Sequence, residues 1–169
     1  GDLITTNVTI NAASTEANAT NNSFTLNKII VGSYDPNDIT ESHGEKIEFS
    51  NFTNNDFLYY TIRFQNTGTA AASFVSLINN LPAELNPESL IMVNSSHDYN
   101  LTRNGNKLHW FFDAINLAPE SINNDDSQGY VIFKVKPTAG FEVGTIIENT
   151  AEIYFDFNPA IITNTFSTE

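Results

Sequence analysis

Cysteine is absent from the 169 residues, and basic residues, methionine and tryptophan are scarce. Without cysteine the chain has no disulfide bond, thiolate zinc site or thiol nucleophile. Seven Lys and Arg face 20 Asp and Glu, so the formal net charge is -13 at pH 7. Such a surface repels phosphate backbones and anionic lipid and attracts cations such as calcium. We therefore expect no nucleic-acid partner.

Long hydrophobic runs are also missing, because no apolar stretch approaches the roughly 18 residues that cross a membrane. We therefore predict no membrane insertion. Hydrophobic residues make up 40% and aromatic residues 12% of the chain, which is enough for a core and excludes a disordered tail. A chain of this length forms one domain, or one domain and part of another. Gly1 rather than Met stands first, so we expect a piece of a longer protein.

Three long stretches alternate apolar and polar residues, which predicts strands with one face on a core and the other in water. These stretches are FLYYTIRFQ (57–65), GYVIFKVKP (129–137) and TIIENTAEIYFDFN (145–158). In the last of them we expect one face to carry Ile147, Ala151, Ile153, Phe155 and Phe157 and the other to carry Glu148, Glu152 and Asp156.

Shorter strand candidates are KIEFS (46–50), ASFVSLI (72–78), SLIMV (89–93) and KLHWFF (107–112). No stretch combines a 3.6-residue period with helix caps. Short strands separated by turn residues predict an all-β, Ig-like antiparallel β-sandwich of about seven to nine strands. The core should contain Phe64, Trp110, Phe133, Ile153 and Phe155.

The N-terminal part has a different pattern. LITTNVTI (3–10) and NSFTLNKIIV (22–31) are two strand candidates joined by a loop of small polar residues. We divide the chain into an N-terminal hairpin, residues 1–30, and an Ig-like domain, residues 31–169. The hairpin is either the first hairpin of the sandwich or the tail of a preceding repeat domain, and both interpretations stay open.

Three motifs carry a resemblance to known families. YYTIRFQNTGTAAASFVSLINNLPAELNPESL (59–90) resembles the conserved Asn-Thr-Gly-Thr repeat of bacterial surface proteins. VGSYDPND (31–38) and GTIIENTAEIYFDFNPAIITNTF (144–166) resemble the Ig-like module of secreted Bacteroidetes proteins that precedes the type IX secretion sorting domain. The resemblance implies a non-enzymatic extracellular spacer whose partners are neighbouring domains of the same chain. The sorting domain does not follow within this sequence, so type IX export rests on the resemblance alone.

The stretch VGSYDPNDIT (31–40) concentrates hard oxygen ligands, because Asp35, Asn37 and Asp38 lie within four residues. Calcium takes six to eight such oxygens, while Asp-Pro and Asn-Asp also form turns whose side chains cap backbone N–H groups. Since the resemblance pairs this motif with the FDFN motif, Asp156 is the expected remote ligand. Calcium binding and turn formation both remain open for this stretch.

Other chemistry has little support in the sequence. His43, His97 and His109 are far apart and show no metal-binding spacing, and no G-x-S-x-G elbow or phosphate-binding glycine loop is present. Asn149 falls on the inward face, where we expect a bond to backbone rather than a Lys–Asn isopeptide bond. The alternative function is a carbohydrate-binding or adhesive module for polysaccharide or a host cell surface. In that case Tyr59, Tyr99 and Tyr154 would stack on sugar rings.

Overall fold

The computed structural model of the chain describes residues 2–9, 22–30 and 35–169. Contacts divide it into two units, residues 1–35 and residues 36–169. In the first unit, strands β1 (Asp2–Thr9) and β2 (Ser23–Ile30) pair antiparallel. The loop predicted between them and residues 31–34 of the Asp/Asn stretch lie outside the described residues. The assignment of residues 1–30 to a preceding repeat remains a prediction.

The second unit is an antiparallel β-sandwich. Its eleven strands are β3 (Asp38–Glu41), β4 (Leu58–Gln65), β5 (Val75–Asn80), β6 (Leu85–Ser95), β7 (Asn100–Asn104), β8 (Lys107–Phe112), β9 (Gln128–Pro137), β10 (Ile147–Asn149), β11 (Ala151–Phe155), β12 (Ile161–Ile162) and β13 (Phe166–Thr168). One sheet has four strands in the order β3-β4-β9-β6, and the other has five in the order β12-β11-β5-β8-β7. These nine strands build the two sheets, in agreement with the seven to nine predicted, and a separate ladder joins β10 to β13.

The core lies between the inward faces of the two sheets. All five predicted core residues are buried: Phe64, Trp110, Phe133, Ile153 and Phe155. The Trp110 ring lies 5.3 Å from that of Phe133 across the sandwich, and Trp110 Nε1 donates a hydrogen bond of 3.2 Å to the sulfur of Met92. Gly129 makes room for Phe64, because a Cβ at this glycine would come within 2.2 Å of the phenyl ring.

The prediction of a strand at KIEFS was wrong. The chain instead forms a 3-10 turn, Phe49–Asn51, in which the Asn51 N–H donates to the carbonyl oxygen of Glu48. The Asn51 side chain also donates to the Glu48 carboxylate at 2.9 Å. Local bonds of this kind compete with strand pairing, and they explain why the short alternation does not produce a strand.

The long stretch 145–158 was expected to be one strand, and the structure divides it. β10 pairs with β13, whereas β11 pairs with β5 in the five-stranded sheet. Asp156 then takes a φ of +52°, and it therefore ends the strand instead of continuing its outward face. Phe157 consequently leaves the buried face on which we had placed it, and its side chain is 96% exposed.

β3 begins and β13 ends at opposite ends of the sandwich. Asp38 pairs with Arg63 near the end of β4, whereas the Glu169 carbonyl accepts a bond from Ile47 N–H in the segment that precedes β4. The lengths of β4 and β9 make the sandwich about 24 to 30 Å long from one end to the other. We call the end that carries Asp38, Arg63 and Gln65 the junction end. The opposite end, with Leu58, Pro137 and Ile147, is the pocket end.

Candidate functional site

The Asp/Asn stretch enters β3 at the junction end, where Asp38 is buried against Arg63. Arg63 Nε and Nη2 donate to the two carboxylate oxygens of Asp38 at 2.7 and 2.8 Å. Burial raises the pKa of Asp38 to about 7, although the two bonds from the guanidinium favour the ionised carboxylate. Asp38 therefore belongs to a bidentate ion pair that ties β3 to β4.

Asn37 is buried beside this pair and extends a polar network. Its Oδ1 accepts a bond of 3.1 Å from the backbone N–H of Gln65. Gln65 Nε2 in turn donates to Ser127 Oγ at 2.8 Å and to Asn124 Oδ1 at 3.3 Å. The network joins the start of β3, the end of β4 and the start of β9, so it holds the junction end together.

Asp156, the predicted remote ligand, caps the beginning of β5. Its Oδ1 accepts bonds from the backbone N–H groups of Ser73 at 2.8 Å and Phe74 at 3.1 Å. Asp35 lies exposed at the boundary of the two units. Over the described ranges 2–9, 22–30 and 35–169, no group of three His, Asp or Glu side chains could hold a metal ion. The contacts described above are all between groups of the protein, and calcium binding remains a prediction.

The loop 123–127 shows the turn chemistry that its sequence indicates. Asn123 Oδ1 accepts bonds from the backbone N–H groups of Asp125 and Asp126, and Asn123 Nδ2 donates to the Asp126 carboxylate at 2.6 Å. The acidic side chains of this loop are exposed. Asn123 caps the backbone of this loop and Asp126 holds the Asn123 side chain in place, which is the ordinary use of Asn and Asp in turns.

The three histidines occupy three separate places. His43 Nδ1 lies 2.7 Å from the buried Glu41 carboxylate, and His109 Nε2 lies 2.7 Å from Ser76 Oγ on the outer face of the five-stranded sheet. His97 contacts Ser96, and burial lowers its pKa. The separation agrees with the absence of a metal-binding spacing in the sequence.

Asn149 is buried next to a second asparagine. Asn79 Nδ2 donates to Asn149 Oδ1 at 2.6 Å and to the Thr150 carbonyl at 2.7 Å. The partner of Asn149 is thus a side chain and not the backbone that we expected. Lys46 and Lys107 lie exposed, so neither is buried with Asn149 as an isopeptide bond would require.

The tyrosines that could stack on sugars differ in their accessibility. Tyr59 is 37% exposed on the outer face of the four-stranded sheet, with the Lys134 ammonium 5.5 Å from its ring. Tyr99 is half-buried with its ring 6.2 Å from that of Phe112. Tyr154 is half-buried and donates its hydroxyl to Glu152 at 2.5 Å. Tyr59 is therefore the most open of the three.

An apolar pocket lies at the pocket end, and the sequence patterns did not indicate it. Its volume is about 150 Å³, and its apolar lining includes Ile47, Phe49, Phe52, Phe141, Val143 and Ile147. Phe141 makes ring contacts with Phe49 at 5.7 Å and with Phe52 at 6.1 Å. The signal that could have indicated it is the group of three phenylalanines in residues 47–57, a segment that forms no strand. We call this cavity the end pocket.

The architecture is that of the Ig-like sandwiches in bacterial surface adhesins and pilins. The fimbrial adhesin FimA of Actinomyces superposes with a TM-score of 0.53 and 13% identity over 77% of this chain and 55% of that chain. The major pilin SpaD of Corynebacterium diphtheriae gives a TM-score of 0.55, with 18% identity over 77% of this chain and 33% of that one. The N-terminal domain of the Streptococcus gordonii adhesin Sgo0707 gives 0.54, with 20% identity over 80% and 33%.

At these identities the likeness shows the fold alone, and the chain spans between 33% and 55% of the length of those structures. Residues 35–169 match the model of a family described as a domain of unknown function, DUF7619, and the chain belongs to that family. Comparison with curated proteins gives no match. Among the described residues, none belongs to a helix long and apolar enough to cross a membrane.

Proposed function

We propose that the sandwich is a non-enzymatic structural module that separates the domains of a larger surface protein. The observation that carries the proposal is the position of its first and last strands. β3 starts at the junction end, next to Arg63, and β13 finishes at the pocket end, where Glu169 exchanges backbone bonds with Glu45 and Ile47. A domain connected at opposite ends adds its full length, about 24 to 30 Å, to the chain that carries it.

The bonding near both connections suits a module that bears tension. Asn164 Nδ2 donates to the Ile39 carbonyl and Asn164 Oδ1 accepts from the Ile39 N–H, both at 3.0 Å, which links the C-terminal segment to β3. Ladder hydrogen bonds run perpendicular to the strands. Tension along the sandwich would therefore load the bonds of β3 and β13 together.

Force spectroscopy on the full chain tests this proposal. Because the sequence has no cysteine, Asp35→Cys and Glu169→Cys give unique attachment points. We expect a single rupture that releases about 450 Å of chain. The control attaches the handles at Asp35→Cys and Asn123→Cys, both at the junction end, and should rupture at lower force. Stepwise extension at low force in the first geometry would contradict a load-bearing role.

We further propose that the parent protein is secreted to the cell surface of a Bacteroidetes bacterium by type IX secretion. The support is the resemblance of the VGSYDPND and FDFN motifs, together with the likeness of the fold to a fimbrial adhesin and a major pilin. Protease treatment of intact cells should remove the protein, and loss of the type IX system should retain it inside. A protein protected in intact cells would contradict this localisation.

An adhesive role is the second candidate, and the accessibility of Tyr59 favours it. A sugar ring on Tyr59 would lie close to Lys134, whose ammonium already lies over the ring. Polysaccharide pull-down with the wild-type chain and with Tyr59→Ala tests this role. Binding that the substitution abolishes would support adhesion, and equal retention of both chains would contradict a site at Tyr59.

Calcium stabilisation through Asp35, Asn37, Asp38 and Asp156 also remains a proposal. A cation at this place would have to compete with Arg63 for the Asp38 carboxylate. Binding to the folded state alone would add about 2.7 kcal/mol at a hundredfold excess of calcium over its Kd. Melting temperatures that rise with calcium and lose this rise in Asp38→Ala would support the site. Curves that coincide with and without chelator would contradict it.

We propose that residues 1–30 are the tail of a preceding repeat and not part of the sandwich. The division of the chain into units at residues 35 and 36 supports this boundary to within a few residues. Deletion of residues 1–30 should leave one cooperative unfolding transition, measured by urea titration. Loss of that transition would show that the sandwich depends on the hairpin.

A further inference from the structure

The end of β13 lies beside the end pocket, and the residue that follows it is bonded to the segment before β4. Glu169 N–H donates to the Glu45 carbonyl at 2.9 Å, and the Glu169 carbonyl accepts a bond of 2.8 Å from Ile47 N–H. One residue that bonds to both neighbours of a single partner is the pattern of a parallel ladder. Glu169 and Lys46 therefore form the first bridge of a parallel strand pair.

The side chains at this bridge agree with a parallel register. Lys46 Nζ lies 3.6 Å from the Glu169 carboxylate, and both side chains face solvent. Ile47, the residue after Lys46, packs against the core and lines the end pocket, and so does Thr168 line it from the end of β13. Because side chains alternate along a strand, the first position after Glu169 would share the face of Thr168 and point into the end pocket.

The backbone after Lys46 could continue the ladder. A longer parallel strand would donate from its second position after Glu169 to the Ile47 carbonyl, and accept there from Phe49 N–H. Within the described ranges neither of these two groups has a hydrogen-bond partner. Glu48 between them is extended, with φ -68° and ψ 117°, and the 3-10 turn begins at the Glu48 carbonyl, which the ladder does not use. The turn is therefore compatible with a continued ladder.

We propose that the residues directly after Glu169 in the parent protein continue β13 as a strand parallel to residues 46–49, and that an apolar side chain at the first of these positions fills the end pocket. The inference rests on the proposed role as a module of a larger chain. The pocket of about 150 Å³ has a largely apolar lining and admits a group as large as benzene. Backbone register and side-chain alternation select this occupant, and the volume only has to admit it.

A continuation of the same chain avoids the costs that a separate partner would meet. Its first residue is tethered to Glu169, so it loses no translational freedom, and it extends a ladder that has already begun. Repulsion between copies with a formal net charge of -13 does not enter. A few backbone bonds and one buried side chain therefore suffice, whereas a separate partner would need about 800 Å² of contact.

Addition of Leu-Thr-Val-Thr after Glu169 tests the proposal on the full chain. The leucine should enter the end pocket, and the first threonine should bond to Ile47 and Phe49. We expect hydrogen exchange of Phe49 N–H, followed by NMR, to slow at least about tenfold. The equilibrium constant for folding, from urea titration, should rise on the order of tenfold to a hundredfold. Asp-Thr-Val-Thr is the matched control and should show neither change, because its first side chain is charged.

Two substitutions test whether the leucine acts through the end pocket. Val143 lines the end pocket, whereas Ile122 lies at the junction end, and both side chains are 78% exposed, so the fold should tolerate a change at either. Val143→Asp should reduce the gain from the added leucine at least several-fold, and Ile122→Asp should preserve it. Equal gains in the two variants would overturn the proposal, since the leucine would then act elsewhere.

The same measurements separate other occupants. A gain in stability without protection of Phe49 N–H would mean that the pocket binds an apolar side chain without strand pairing, and protection that depends on protein concentration would mean that the added residues enter a second copy. Either result would overturn the proposal, as would glycine, proline or a charged residue directly after Glu169 in the parent protein. The Phe49 amide reports strand pairing and force spectroscopy reports the load-bearing role, so one can fail while the other holds.

Discussion

The two ends of the sandwich are held together by different chemistry. At the junction end a buried carboxylate, Asp38, is paired with Arg63, and amide side chains connect three strands. At the pocket end the corresponding contacts are between rings, such as those of Phe52 and Phe141. Polar networks of this kind require every partner to be present, whereas apolar contacts lose energy gradually with area. A single substitution at the junction end should therefore cause a large loss of stability. At the pocket end the loss should follow the apolar area that is removed.

The largest effect is expected between the two ends, at Trp110. Trp110→Ala should lower the free energy of unfolding by about 3 to 5 kcal/mol, because a fully buried indole leaves a cavity. Urea titration measures the loss, and Trp110→Phe should cost less. A cost below about 1 kcal/mol, or two separate transitions, would mean that the ends unfold independently and would break the comparison.

Arg63→Met should have the next largest effect, about 2 to 3 kcal/mol, because it leaves the Asp38 carboxylate buried without its bidentate partner. It also removes the guanidinium that favours the ionised carboxylate, so burial holds the folded pKa of Asp38 above the ordinary value of about 3.9 in the unfolded chain. The protonated form then favours folding, and the variant should lose stability as pH rises from about 4 to 7.

Urea titrations at several pH values measure this slope. The double variant Arg63→Met, Asp38→Asn is its control, since it has no carboxyl at this position and should lack the slope. A single variant whose stability does not fall between these pH values would contradict the assignment of the slope to Asp38.

Phe52→Ala at the pocket end should cost about 1 to 2 kcal/mol, less than full burial of a phenylalanine provides, because the ring is half-buried. The ring also lies edge-on to the imidazole of His43, with the ring centroids 5.5 Å apart, so the cost is best measured by thermal melts at one pH. A cost above about 3 kcal/mol would show that Phe52 contributes as much as a fully buried ring.

The smallest effect concerns Asp56, a carboxylate near the pocket end with a shift opposite to that of Asp38. Hydrogen bonds from the side chain and backbone of Thr53 lower the pKa of Asp56. This carboxylate therefore stabilises the fold above its unfolded pKa and loses that contribution as pH falls through the folded pKa. Carboxyl NMR titration should show the pKa rise in Thr53→Ala. An unchanged pKa would assign the shift to other charges.

The alternating pattern correctly predicted the strongly amphipathic strands and which of their faces is buried. FLYYTIRFQ, GYVIFKVKP and KLHWFF correspond to β4, β9 and β8. The apolar side chains on the inward face of each strand are buried. Strands with weak alternation were missed, such as β7, in which only Leu101 is half-buried. An edge strand with most side chains in water has no period that the sequence could reveal.

The candidate site was predictable only in part. Asn37 and Asp38 were selected for their oxygens, and the structure places both in the junction network. Their partners, Arg63 and Gln65, lie 25 and 28 residues away along the chain and share no local motif with them. A dense cluster of oxygens is common to turns, ion pairs and metal sites, so the type of partner could not be read from the cluster.

By itself the sequence determined the class of fold, the buried positions of the long strands and the strongly acidic surface, because hydrophobic period and net charge are local or summed properties. The tertiary structure alone decided that Asp38 faces Arg63, that aromatic residues from two loops meet in the end pocket, and that Phe157 points outward. Phe157 illustrates the reason. A positive φ at Asp156, held by bonds to Ser73 and Phe74 some 80 residues earlier, redirects a side chain whose position in the pattern belongs to the buried face.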